Sequence, residues 1–104
     1  MPTARELAIP IPHERIAEFC RKWGIRKLSF FGSVVRDDFD PARSDVDVLV
    51  EYREPQKVSF SDMSDAEREL AAIFDRKVDL ADRIRDSLWP YVKDDLVIEY
   101  VEES

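Results

Sequence analysis

Apolar and polar positions divide this chain into a short series of elements. From His13 to Trp23, the residues Ile16, Phe19, Cys20 and Trp23 recur at i, i+3, i+4 and i+7, which marks one stripe of a helix. Gly24 follows where a left-handed residue would end it. Lys27 to Phe31 is a short, apolar and aromatic run closed by Gly32, and it predicts a first strand. Ser33 to Arg36 then opens a short helix. A second strand, Asp45 to Tyr52, alternates cleanly. Val46, Val48, Val50 and Tyr52 point one way, and Asp45, Asp47, Leu49 and Glu51 the other. The three valines identify the buried face, so the aspartates share the opposite one.

A helix is expected to reach about Phe74, with Met63, Ala66, Leu70, Ile73 and Phe74 as its inner stripe. Ser64 and Glu67 have capping-box spacing, although Phe60 and Met63 fit the same stripe and allow a start near Ser61. A third strand, Lys77 to Ala81, sets Val78 and Leu80 against Asp79. Beyond Pro90, VKDDLVIEYVEES fits a short helix, a final strand, or one followed by the other; a helix over 91–98 is the expectation. The resulting order is α-β-α-β-α-β-α. Residues 1–12, with Pro2, Pro10 and Pro12, predict an extended lead-in, and 13–104 a single domain.

Composition narrows the chemistry. Charged residues are 38% of the 104 and the formal net charge is −7, which argues against a nucleic-acid backbone as direct partner. With one cysteine and one histidine, neither an intrachain disulfide nor a Cys/His zinc set is possible, so any metal must be held by oxygen. Cys20 lies on the apolar stripe and reads as a small buried residue. Trp23 and Trp89 read as core or interface aromatics. No signal-peptide or membrane-spanning stretch occurs in the sequence, and the expected location is the cytoplasm.

Candidate chemistry gathers between Phe30 and Glu51, FFGSVVRDDFDPARSDVDVLVE. A strand ending in Gly-Ser and opening a helix exposes backbone N–H groups, and glycine admits a phosphate without a Cβ in the way. The Ser33 hydroxyl and the Arg36 guanidinium, one turn on, add donors. Asp45 and Asp47 leave one strand face with Cβ atoms roughly 6 to 7 Å apart, suited to one divalent ion or to two. Their repulsion costs stability unless a cation lies between them. Taken alone, a solvated strand face explains that pair at least as well. Asp79, the one acid inside the third apolar run, joins them on one surface if strands two and three are neighbours. Three oxygen ligands of this kind suit Mg²⁺ or Mn²⁺.

Phe31-Gly32-Ser33, eleven further residues, Asp45-Val46-Asp47 and then Asp79 in a later strand resemble the DNA polymerase β-like nucleotidyltransferase superfamily. More narrowly, FGSVVRDDF…SDVDVLVE with RKVDL and PYVKDD resembles the minimal nucleotidyltransferase (MNT) proteins that pair with HEPN toxins. The gap between Gly-Ser and the first aspartate is one residue longer than is common in that group. The resemblance implies an α+β (α/β-type) nucleotidyltransferase fold, a small mixed sheet packed by helices. It implies ATP bound at Gly32, Ser33 and Arg36, and two Mg²⁺ ions held by the catalytic residues Asp45, Asp47 and Asp79. It further implies AMP transfer to a tyrosine of a partner HEPN ribonuclease toxin, in a hetero-oligomer with that toxin. Two alternatives are an antitoxin that neutralises by binding alone and nucleotidyl transfer to a small molecule.

Overall fold

The computed structural model describes residues 9, 11–35, 40, 45–53 and 58–102. Its elements are α1 (His13–Trp23), β1 (Ile25–Phe31), a 3-10 turn (Gly32–Val35), β2 (Val46–Tyr52), α2 (Phe60–Phe74), β3 (Val78–Ala81), α3 (Trp89–Val92) and β4 (Val97–Val101). The four strands form one sheet in the order β3-β2-β1-β4. β1 runs antiparallel to both β2 and β4, whereas β2 and β3 are parallel. The mixed α+β architecture is the one expected.

α1 has the predicted bounds. Ile16, Phe19 and Cys20 are its buried residues, and Gly24 ends it in the left-handed conformation, φ 70°. Each fully buried side chain of this size contributes about 1.5–3 kcal/mol of transfer free energy. Leu28 and Phe30 of β1, the three valines of β2, and Val78 and Leu80 of β3 meet them in one core, with Ala66, Leu70 and Phe74 of α2. Phe30 and Phe74 pack edge to face at 5.8 Å between centroids. Ile9 is also buried; the remainder of the lead-in expectation, apart from Ile11 and Pro12, lies outside the described residues. Lys22 and the Trp23 indole both hold Glu69, joining α1 to α2.

α2 begins earlier than the Ser64–Glu67 spacing suggests. Ser59 is the N-cap: its hydroxyl accepts from the Asp62 N–H at 3.0 Å, and Asp62 accepts from the Ser59 N–H at 3.2 Å. Aspartate here fills the position usually given to Glu or Gln in a capping box, which frees Glu67 for another role.

The C-terminal expectation is corrected. Instead of one helix over 91–98, a four-residue helix is followed by strand β4. Pro90 fits the first turn of α3, where its missing N–H is no loss. β1 would otherwise present an unpaired edge, and the β-branched and aromatic run Val97-Ile98-Glu99-Tyr100-Val101 supplies a partner with Phe30 opposite Val97 and Leu28 opposite Tyr100. Glu99 falls between those pairings and reaches the His13 ring. Trp89 is not a core residue: it is exposed, as are Leu88 and Tyr91.

Burial, with the Glu99 charge adding to it, pushes the Cys20 thiol from 9.0 up to about 12. Below pH 9 the thiol is neutral in both states and its contribution is intact. Above that the unfolded chain ionises first, so stability falls as pH rises toward 12. Folded protein is expected to resist alkylation at Cys20, and its urea midpoint to drop between about pH 8 and 10.5 more than that of Cys20→Ala. Mass spectrometry after iodoacetamide and paired urea titrations check both; rapid labelling of folded protein would contradict them.

Candidate active site

The register of the sheet assembles the candidate site. Phe31 of β1 lies opposite Asp47 of β2, and Asp47 lies opposite Asp79 of β3. The two aspartates therefore stand side by side on neighbouring parallel strands, about 4.8 Å apart along the ladder. Both leave the face away from the helices, since Val46, Val48, Val78 and Leu80 take the buried face. Asp79 is exposed and Asp47 partly buried. Strand alternation accounts for this arrangement, and the parallel pairing of β2 with β3 is the step the sequence left conditional.

Gly32 follows Phe31 directly and has φ +76°. A Cβ built on it would lie 2.2 Å from Asp47 Oδ2 and 3.1 Å from Asp47 Cγ. The space expected to admit a phosphate is thus bordered by the Asp47 carboxylate itself. The glycine is required both for its backbone conformation and for the room it leaves the acid. Ser33 lies in the 3-10 turn immediately after, whose Val34 and Val35 are buried and anchor the corner in the core. Arg36 and most of the connection that follows, including the extra loop residue, lie outside the described residues.

Asp45 precedes β2 by one residue, and its Oδ2 lies 3.8 Å from the ammonium of Lys77, a side chain 80% exposed. An exposed pair at that distance adds little stability. Its interest is positional, because Lys77 stands just before β3 and its carbonyl accepts from the Val46 N–H at 3.1 Å. Among the described residues, no three His, Cys, Asp or Glu side chains gather closely enough to hold a metal ion. In chemistry the donors fit a hard divalent cation: all are carboxylate oxygens, two of them are register partners, and the third already faces a cation. Asp47 and Asp79 are adjacent, and Asp45 would have to turn from Lys77 to join them in holding one.

Two residues were missed by sequence reasoning. Lys77 had a weak signal in its place two residues before Asp79. Glu67 had a misleading one, since its spacing from Ser64 suggested a cap; its Oε2 instead accepts from the Leu80 N–H at 2.9 Å.

A short mixed sheet with a glycine corner and register-paired acids on the face opposite its helices is the frame of a nucleotidyl-transferring domain. The family model for the nucleotidyltransferase domain matches residues 14–102, and the chain belongs to that family. No curated protein matches the sequence significantly. Solved structures with the same fold include a toxin–antitoxin complex with AMP-PNP, at 18% identity over 89% of this chain and 76% of that one, with a TM-score of 0.71. A mutant MntA–HpeT toxin–antitoxin complex aligns at 15% identity over 89% and 75%, with a TM-score of 0.69. The MNT antitoxin complex with the tri-AMPylated Shewanella oneidensis HEPN toxin aligns at 18% identity over 86% and 69%, with a TM-score of 0.62.

Gly32→Ala is expected to cost about 1–2 kcal/mol from the left-handed backbone alone and to displace the Asp47 carboxylate. Urea unfolding measures the first effect. A crystal structure of the variant measures the second, and an undisturbed Asp47 side chain would contradict it.

Proposed function

We propose that this protein is an antitoxin adenylyltransferase that transfers AMP from ATP to a tyrosine of a partner HEPN ribonuclease toxin. The observation that carries the reading is the register pairing of Asp47 with Asp79 beside a corner where Gly32 adopts φ +76° and leaves room for the Asp47 carboxylate. The fold neighbours support it. One is an MNT antitoxin with its AMPylated HEPN toxin, and another a toxin–antitoxin complex with AMP-PNP. The surface supports a protein acceptor. Leu88, Trp89 and Tyr91 are exposed in the segment leading to Val97, which lies opposite Phe30 at the site end of β1. ATP supplies the nucleotide, and the cytoplasm is where the pair would meet it.

In this mechanism Gly32 and Ser33 present backbone N–H groups to the phosphates, and Arg36 adds a cationic donor. Asp45, Asp47 and Asp79 would hold two Mg²⁺ ions, which supply charge neutralisation on the phosphates and lower the cost of the attacking oxygen's negative charge. The tyrosine oxygen forms a bond to the α-phosphorus as the bond to the bridging oxygen breaks, and pyrophosphate leaves with that electron pair. Asp79, the exposed member of the acid set, would help take the phenolic proton. The protein contributes positioning and electrostatics and forms no covalent intermediate.

The separation of Asp45 toward Lys77 favours one second reading, an antitoxin that acts by binding alone. A single experiment divides the two. Partner toxin, ATP and Mg²⁺ with this protein are expected to give an AMP mass gain on the toxin, and Asp47→Asn to lower the rate at least about 10²-fold while still forming the complex. No mass gain, together with neutralisation by Asp47→Asn, would establish the binding reading instead.

A further inference from the structure

Among the described residues β3 is an edge strand of four residues, bonded to the sheet on one side only, yet it carries Asp79. The phase of its ladder is set by the Val46 N–H donating to the Lys77 carbonyl. In a parallel pair that phase alternates, so the amide and carbonyl of Asp79 itself face β2, and the amide of Leu80 faces outward. That outward N–H donates to Glu67 Oε2 at 2.9 Å. Glu67 sits on α2 between Ala66 and Leu70, which are both fully buried and fix the rotation of the helix against the sheet. The Leu80 side chain, on the core side of the same residue, is buried as well.

Resting on the functional reading above, we infer that Glu67 is a positioning residue for Asp79. It clamps the peptide unit that follows Asp79 from the outer side, while β2 holds the acid's own backbone from the inner side. A carboxylate ligand on an edge strand has no third strand to stop it sliding or twisting. Catalytic constellations need their groups held within about 0.5 Å of the productive geometry. The clamp provides that restraint from a helix whose own placement is set by the core. The role assigned to Glu67 is the hydrogen bond and not the charge, and glutamine would keep an acceptor oxygen at this position.

The test compares Glu67→Ala and Glu67→Gln with the wild type in full-length protein. Amide exchange of Leu80, followed by NMR, is expected to quicken in Glu67→Ala and to stay slow in Glu67→Gln. Mn²⁺ binding with ATP, read from the free-ion EPR signal, is expected to weaken about 10-fold or more in the alanine variant. The Mg²⁺ concentration for half-maximal AMP transfer is expected to rise in step, with near-wild-type values for glutamine. Unchanged metal affinity in Glu67→Ala, with only a lower melting temperature, would show a merely structural edge cap and overturn the inference. A glutamine variant as impaired as alanine would overturn it too, by making the charge the active feature. Wild-type protein that neither binds Mn²⁺ nor transfers AMP would overturn the functional reading itself, an outcome distinct from an active wild type with an unaffected alanine variant.

Discussion

The site depends on one close approach, the Asp47 carboxylate against the bare α-carbon of Gly32. β1 and β2 pair so that Phe31 faces Asp47, and the chain must turn away from the sheet at the next residue. A Cβ there would lie 2.2 Å from Oδ2, inside van der Waals contact. Glycine removes that conflict and also accepts φ +76°, so one substitution would disturb both the turn and the acid. Val34 and Val35, buried immediately afterwards, hold the turn in the core, so the corner is fixed on both sides.

Much of this was legible in the sequence because two periodicities governed it. The 3.6-residue stripe gave α1 its bounds, and the strict alternation of β2 put the valines inside and the aspartates outside. What the sequence could not supply was pairing. Nothing in Lys77 to Ala81 says that it lies parallel to β2 with Asp79 opposite Asp47, since register is a long-range property set by where α2 delivers the chain. The expected C-terminal helix failed for a related reason. VIEYV is equally regular at either period over so few residues, and only the free edge of β1 decides for a strand.

The misplaced cap illustrates a local version of the same difficulty. Ser64 with Glu67 matches the capping pattern better than Ser59 with Asp62, yet the latter pair makes the reciprocal bonds. The helix begins at Phe60, which is itself exposed, so Ser64 lies within the helix and its spacing to Glu67 is incidental. Glu67 is then available to reach across to β3.

The acids are placed where the sheet resists them. Like charges directly opposite on neighbouring strands destabilise a sheet, and Asp47 and Asp79 are register partners. The cost is tolerable because each acid stands on a strand whose next residue is committed to the core: Val48 after Asp47 and Leu80 after Asp79, themselves register partners. Sliding either strand by one position to separate the charges would turn that strand's core residue to water and its aspartate into the core. The burial of Val48 and Leu80 thus holds two carboxylates in a proximity they would not adopt unaided. The apolar side of the sheet maintains the pairing of Asp47 with Asp79, and Gly32 leaves room for the Asp47 carboxylate.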